Sequence, residues 1–131
     1  MRRGRRGSQA VEFALSVPFM LAIVSTVVDL SEFLNRKDAL VASVAAGARA
    51  GAVVEKYQHL DPREVAVATA LTSWDVSGAS GTPTLRASYV GTKPDRLVEV
   101  SGTVPFEPLF GFLPLPETIG YTGAVLMVIQ E

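Results

Sequence analysis

Nineteen consecutive residues, Ala10 to Val28 (AVEFALSVPFMLAIVSTVV), contain a single charge, Glu12. A helix needs about 20 apolar residues to cross a hydrocarbon core, and inside that core each backbone N–H and C=O must be satisfied within the segment. The run therefore predicts a membrane-spanning helix, and every other element must form before it or after it. Arg2, Arg3, Arg5 and Arg6 precede the run, and Asp29 and Glu32 follow it. Positive charge stays on the cytoplasmic side. The expected orientation is a single pass with the N-terminus inside and the bulk of the chain outside.

The chain is 131 residues long, enough for one modest domain. It has no cysteine, so the exterior part must hold itself together by packing alone. Net charge is -1, but the first seven residues carry four of the 12 basic side chains, which leaves 8 basic against 13 acidic residues, or -5, beyond them. Such a surface argues against a nucleic-acid partner.

The start does not read as an ordinary secretory signal. That signal has an apolar core of about 7 to 15 residues and an A-x-A-like cleavage site, whereas this run is longer, holds Glu12 and Pro18, and leads into DLSEFLNRK with no small-x-small pair. A twin-arginine signal fits poorly as well, because no apolar follow-on comes immediately after the arginine pair. Glu12 is the discriminating residue. On insertion scales an acid costs roughly 2.5 to 3.5 kcal/mol at the centre of a membrane helix and less near its end, so a carboxylate kept there needs a partner. Were the bond between Gly7 and Ser8 cut, the new α-amino group, with a pKa near 8, would be a cation, and Glu12 would be the fifth residue of the shortened chain.

This arrangement resembles the class III signal of prepilins: a short basic leader, a glycine before the scissile bond, and a glutamate at mature position five heading an apolar helix. More narrowly, the chain resembles the TadE-like family, minor pilins or pseudopilins of the tight-adherence (Tad) pilus. The resemblance rests on Ala10, Val11, Glu12, Phe13, Ala14, Pro18, Glu32, Phe33, Ala45, Ala46, Arg49, Gly51 and Ala52, and it departs at Gly47 and Ala48. It implies a prepilin peptidase that recognises Gly7, Ser8 and Glu12, and a Glu12 carboxylate that meets the Ser8 amine of a neighbouring subunit. It also implies location in the inner membrane or in a surface pilus. The implied partners are the membrane, other pilins or pseudopilins and the inner-membrane assembly platform, with no cofactor and no small-molecule substrate.

Between Ser8 and about Glu55 no turn signal is strong enough to stop a helix, which at about 1.5 Å per residue would be about 72 Å long, more than twice the hydrocarbon thickness. Residues 8–34 are expected to form the transmembrane part of this helix and 35–56 its exterior part, after a basic leader of residues 1–7. Pro18 removes one ladder bond, for which Ser16 could compensate. Leu40, Val44, Gly47 and Gly51 share one face. GARAG, from Gly47 to Gly51, places the helix on its own sheet or, on the sharper reading, in contact with another subunit; Phe13 and Pro18 are further candidates for subunit or membrane packing.

Residues 57–131 are expected to form an exterior domain. LDPREVAVATALTSW predicts a second helix capped by Asp61, with Pro62 at its first position and Glu64 in a capping-box pattern. Trp74 reads as a core residue, and His59, the single histidine, as a turn residue. Period-two alternation predicts strands at Thr84–Val90 and Arg96–Val104 joined through the five residues GTKPD, and a last strand from Tyr121, apolar on both faces between Ala124 and Ile129. PFEPLFGFLPLPE, Pro105 to Glu117, carries four prolines and many large apolar residues. It reads either as a connection folded over the sheet or as a docking surface, through Phe106, Leu109, Phe110 and Phe112, for another pilus component or the outer leaflet of the membrane.

The motifs of nucleophilic, metal or phosphate chemistry are missing from the sequence: it has no cysteine, no second histidine, no G-x-S-x-G and no Walker loop. Glu99 and Glu107 read as solvated. The expected fold is α+β and pilin-like: a long N-terminal helix followed by a small antiparallel sheet and one short helix. The expected role is structural, not enzymatic. An uncleaved, signal-anchored binding module is the alternative.

Overall fold

A computed structural model describes residues 4–54, 59–92 and 95–127, with the side chains of residues 4–6 excluded. Arg2 and Arg3, the side chains of Arg5 and Arg6, the connector Glu55–Gln58, the hairpin residues Lys93 and Pro94, and the end of the apolar run after Met127 lie outside the described residues. Five elements follow in order: α1 (Gly4–Ala52), α2 (Pro62–Ser77), β1 (Thr84–Val90), β2 (Leu97–Pro105) and β3 (Thr118–Leu126). The fold is α+β. The chain divides into two compact units, one made of residues up to Phe33 with Pro108–Leu115, and one made of Leu34–Glu107 with Pro116–Glu131.

In the larger unit the strands form an antiparallel sheet in the order β1-β2-β3. Period two sorts the side chains: Val98, Val100 and Val104 of β2 are fully buried, Ile119 of β3 nearly so, and Leu85, Ala87 and Tyr89 of β1 are half-covered. The other face carries Arg86, Ser88, Glu99, Ser101 and Thr103. Leu40 and Val44 of α1 are fully buried against the covered face at Gly102, where a Cβ would lie 2.8 Å from Leu40 Cδ1 and 3.1 Å from Val44 Cγ2.

α2 packs on α1 through small residues on both helices. A Cβ at Gly47 would collide with the Ala66 carbonyl oxygen and lie 2.8 Å from Ala70 Cβ; one at Gly51 would lie 2.7 Å from the Pro62 carbonyl oxygen. The G-x-x-x-G therefore seats a helix of the same chain, and not primarily the sheet as the sequence suggests. The α2 stripe Ala66, Ala70 and Trp74 is buried, and the Trp74 indole N–H donates to the Gly81 carbonyl at 3.2 Å.

Asp61 caps α2, accepting from the Arg63 backbone N–H at 2.9 Å, and Pro62 takes the first turn, where its missing N–H costs nothing. Arg63, not Glu64, closes the cap, with its guanidinium on the Asp61 carboxylate at 2.6 Å. At the other end Gly78, with φ 68°, stops the helix. The hairpin between β1 and β2 is one residue longer than expected, because Val90 pairs with Leu97 and Arg96 joins the loop. β3 begins at Thr118, three residues earlier than expected, and within the chain it is covered on one face only: Ala124 and Leu126 are exposed.

In the smaller unit, α1 runs through Pro18 and from Val11 to Val28 exposes its large apolar side chains, including Phe13, Phe19, Met20 and Ile23. It is long and apolar enough to cross a membrane. Ser16 does not serve the carbonyl that Pro18 leaves free; its hydroxyl donates to the Glu12 carbonyl at 2.8 Å.

Candidate functional site

The residues expected at the cleavage site lie on the first turns of α1. Gly7, Ser8, Glu12, Phe13 and Pro18 are all exposed, and a Cβ built at Gly7 meets nothing within 4 Å. Gly7 has an ordinary helical conformation in open space, so nothing in the chain's own packing requires a glycine there. Helix propensity disfavours it by about 1 kcal/mol relative to alanine. Gly47 and Gly51, by contrast, are explained by α2.

A second feature is built where the apolar run ends. Asp29 is 1% exposed. Its carboxylate accepts from three successive backbone N–H groups of the β2–β3 connection: Leu109 to Oδ1 at 2.8 Å, Phe110 to Oδ2 at 3.1 Å and to Oδ1 at 3.3 Å, and Gly111 to Oδ2 at 2.9 Å. A backbone that alternates handedness turns consecutive N–H groups toward one anion, and Gly111, with φ 68°, provides a left-handed residue. Ser25, one turn before Asp29, is 9% exposed, and its hydroxyl donates to the Leu21 carbonyl at 2.7 Å.

This arrangement corrects the sequence reading of Pro105–Glu117. Pro108–Leu115 belongs to the same compact unit as the first part of α1 and not to that of the sheet. Phe106 is not part of a docking surface: it is 3% exposed, with the Arg36 guanidinium 5.3 Å from its ring centroid. Leu109, Phe110 and Phe112 are exposed, at 80%, 50% and 63%. Asp29 was legible only as a flanking charge, because the signal that singles it out, three convergent N–H groups, comes from residues 80 positions away.

A polar cluster occupies one end of the sheet unit. Asp61 also accepts from the Tyr89 hydroxyl at 3.2 Å, and the guanidinium groups of Arg63 and Arg96 lie 5.2 and 5.0 Å from the Tyr89 ring centroid. Hydrogen bonds from Arg63 hold the Asp61 carboxyl down to about 2, while burial, with the Asp61 charge beside it, pushes the Tyr89 phenol up. An open depression beside this cluster is lined by Asp61, Arg63, Glu64, Val67, Ala68, Leu71 and Ala87. Asp61 and Arg63 are paired with each other, the arrangement of a helix cap. Among the described residues no group of His, Cys, Asp or Glu is gathered to hold a metal ion.

Residues 7–49 match the family described as TadE-like protein, the family that the segment from Gly7 resembles by its motifs. The match covers α1 as far as Arg49 and none of the sheet. No curated protein and no solved structure matches the chain.

Proposed function

We propose that this TadE-like chain is a minor pilin or pseudopilin of a Tad-type pilus, made as a precursor and cut between Gly7 and Ser8 by a prepilin peptidase. The observation that carries the proposal is the exposed apolar helix with one exposed acid, Glu12, five residues beyond a glycine that nothing in the chain requires. Helix-dipole electrostatics supports it. In the uncut chain α1 begins with basic residues and has no acid in its first turn, the unfavourable sense for the dipole. A start at Ser8 removes the arginines and brings Glu12 close to the new helix end, where a carboxylate is stabilised. In an assembly the exposed apolar surface of α1 then packs on neighbouring helices, and Glu12 pairs with the Ser8 amine of an adjacent subunit.

On this reading the N-terminus faces the cytoplasm, the sheet domain lies outside the inner membrane, and the partners are the peptidase, other pilins or pseudopilins and the assembly platform. The role is structural and not enzymatic. Intact mass of the membrane-extracted protein tests it: the expected chain starts at Ser8 in a host that builds these pili, and Gly7→Arg retains residues 1–7. Glu12→Ala is expected to insert in the membrane and fail to support piliation. A native chain that keeps its arginines would replace the proposal with an uncleaved, signal-anchored module.

A further inference from the structure

We infer that the Pro108–Leu115 loop is a second membrane contact, inserting Leu109, Phe110 and Phe112 into the boundary between headgroups and acyl chains on the side where α1 leaves the bilayer. The inference rests on the reading of α1 as a membrane span, and it assigns a role to a connection lying wholly outside the segment that matches the family.

Three observations identify lipid as the occupant. The first is position: Asp29 is the first charge after the apolar run, so a loop bonded to it sits at the edge of the hydrocarbon. Val27, Val28 and Leu30, beside Asp29 on α1, are exposed as well. The second is composition. PLFGFLPL has no charge, and Glu107 and Glu117 bracket it, a pattern that limits insertion to the roughly 5 to 10 Å of an interfacial segment.

The third is the state of its backbone. Pro108 and Pro114 have no N–H; of the six N–H groups that remain, those of Leu109, Phe110 and Gly111 donate to Asp29 and that of Leu115 donates to the Leu113 carbonyl at 2.8 Å, which leaves those of Phe112 and Leu113 without a partner among the described residues. A loop surrounded by water has no need of this, because water satisfies its donors. A loop entering lipid must bring its partners with it. The buried carboxylate is the means by which irregular backbone becomes compatible with the interface, and the exposed aromatic side chains are what it presents there.

The absence of cysteine allows a direct test in the full chain. Single Cys substitutions at Phe112, Leu109, Ile23 and Ser88 carry a nitroxide in vesicles of phosphatidylcholine and phosphatidylglycerol, and collisions with oxygen and with a water-soluble nickel chelate report depth. Positions 112 and 109 are expected to favour oxygen, in the same sense as Ile23 within the span and opposite to Ser88 on the outer face of β1. Asp29→Asn in the chain labelled at 112 should shift that position toward nickel. Label at 112 reading like Ser88 while Ile23 reads as lipid overturns the inference and leaves the span intact. Exclusion of both reagents at 112 overturns it in favour of a protein covering the loop. An unchanged reading in Asp29→Asn overturns the anchoring role, and nickel access at Ile23 overturns the span and the inference together.

Discussion

Replacing Asp29 by alanine should release the loop while leaving the sheet intact. In the native chain three N–H donors converge on one buried carboxylate at 2.8 to 3.1 Å. A hydrogen bond to a charged group contributes about 1.5 to 3 kcal/mol. The three donors share two oxygens and one stretch of backbone, so their contributions do not add, and about 3 kcal/mol is a reasonable net figure for the set. Since each 1.4 kcal/mol is a factor of ten, the open form of the loop should become somewhat more than a hundredfold more populated. Amide hydrogen exchange of the full chain in detergent reads this population, because exchange of a protected N–H reports the free energy of the local opening that exposes it. Peptides covering Leu109–Gly111 should accelerate by that factor in Asp29→Ala. Asp29→Asn keeps one acceptor oxygen but no charge, and should fall between. The amides of Val98–Val104 exchange only when the sheet opens and should not change. Unaltered protection at Leu109–Gly111 in Asp29→Ala would refute the reasoning, since it would mean that the carboxylate does not hold the loop.

Gly47→Leu puts side-chain atoms against a backbone carbonyl of α2, which no rotamer change can relieve; it should destabilise the sheet unit by about 1 to 3 kcal/mol, read as a lower Tm, with Ala42→Leu on the exposed face as a neutral control. The Ser43 hydroxyl is fully buried without a partner among the described residues, so Ser43→Ala should raise stability by about 1 kcal/mol in chemical unfolding. Because the folded state holds the Asp61 carboxyl at about 2 against an ordinary 3.8, its contribution is complete above 3.8 and is lost as the pH falls toward 2. Asp61→Asn keeps a capping side chain and should show a smaller drop in Tm across that window than the native chain.

Much of the fold was legible because its signals are local. Nineteen residues with one charge specify a helix of membrane length, Asp61-Pro62 and Gly78 bracket α2, and alternation between wet and dry positions marks β1 and β2 to within a residue. Glu12 and Gly7 also stood out locally, as an acid in an apolar run and a glycine just ahead of it. Other features depended on segments distant in the chain. The small residues of GARAG announce close approach but not what approaches, and only the packed helices identify α2 as the neighbour. β3 lacks its own start signal, since Thr118–Gly120 joins the strand through pairing with Thr103–Pro105.

The amino-acid sequence by itself determined a helix of membrane length and the position of most elements, because hydrophobic length, capping chemistry and side-chain period act between residues a few positions apart. What the tertiary structure alone decided is the fate of the proline-rich connection. Its apolar residues would suit a core, a partner or a bilayer equally well by composition. Three amides and a carboxylate 80 residues away fix the loop to the end of the apolar run, since a buried charge is tolerated only where donors converge on it, and that convergence exists only once the chain has folded.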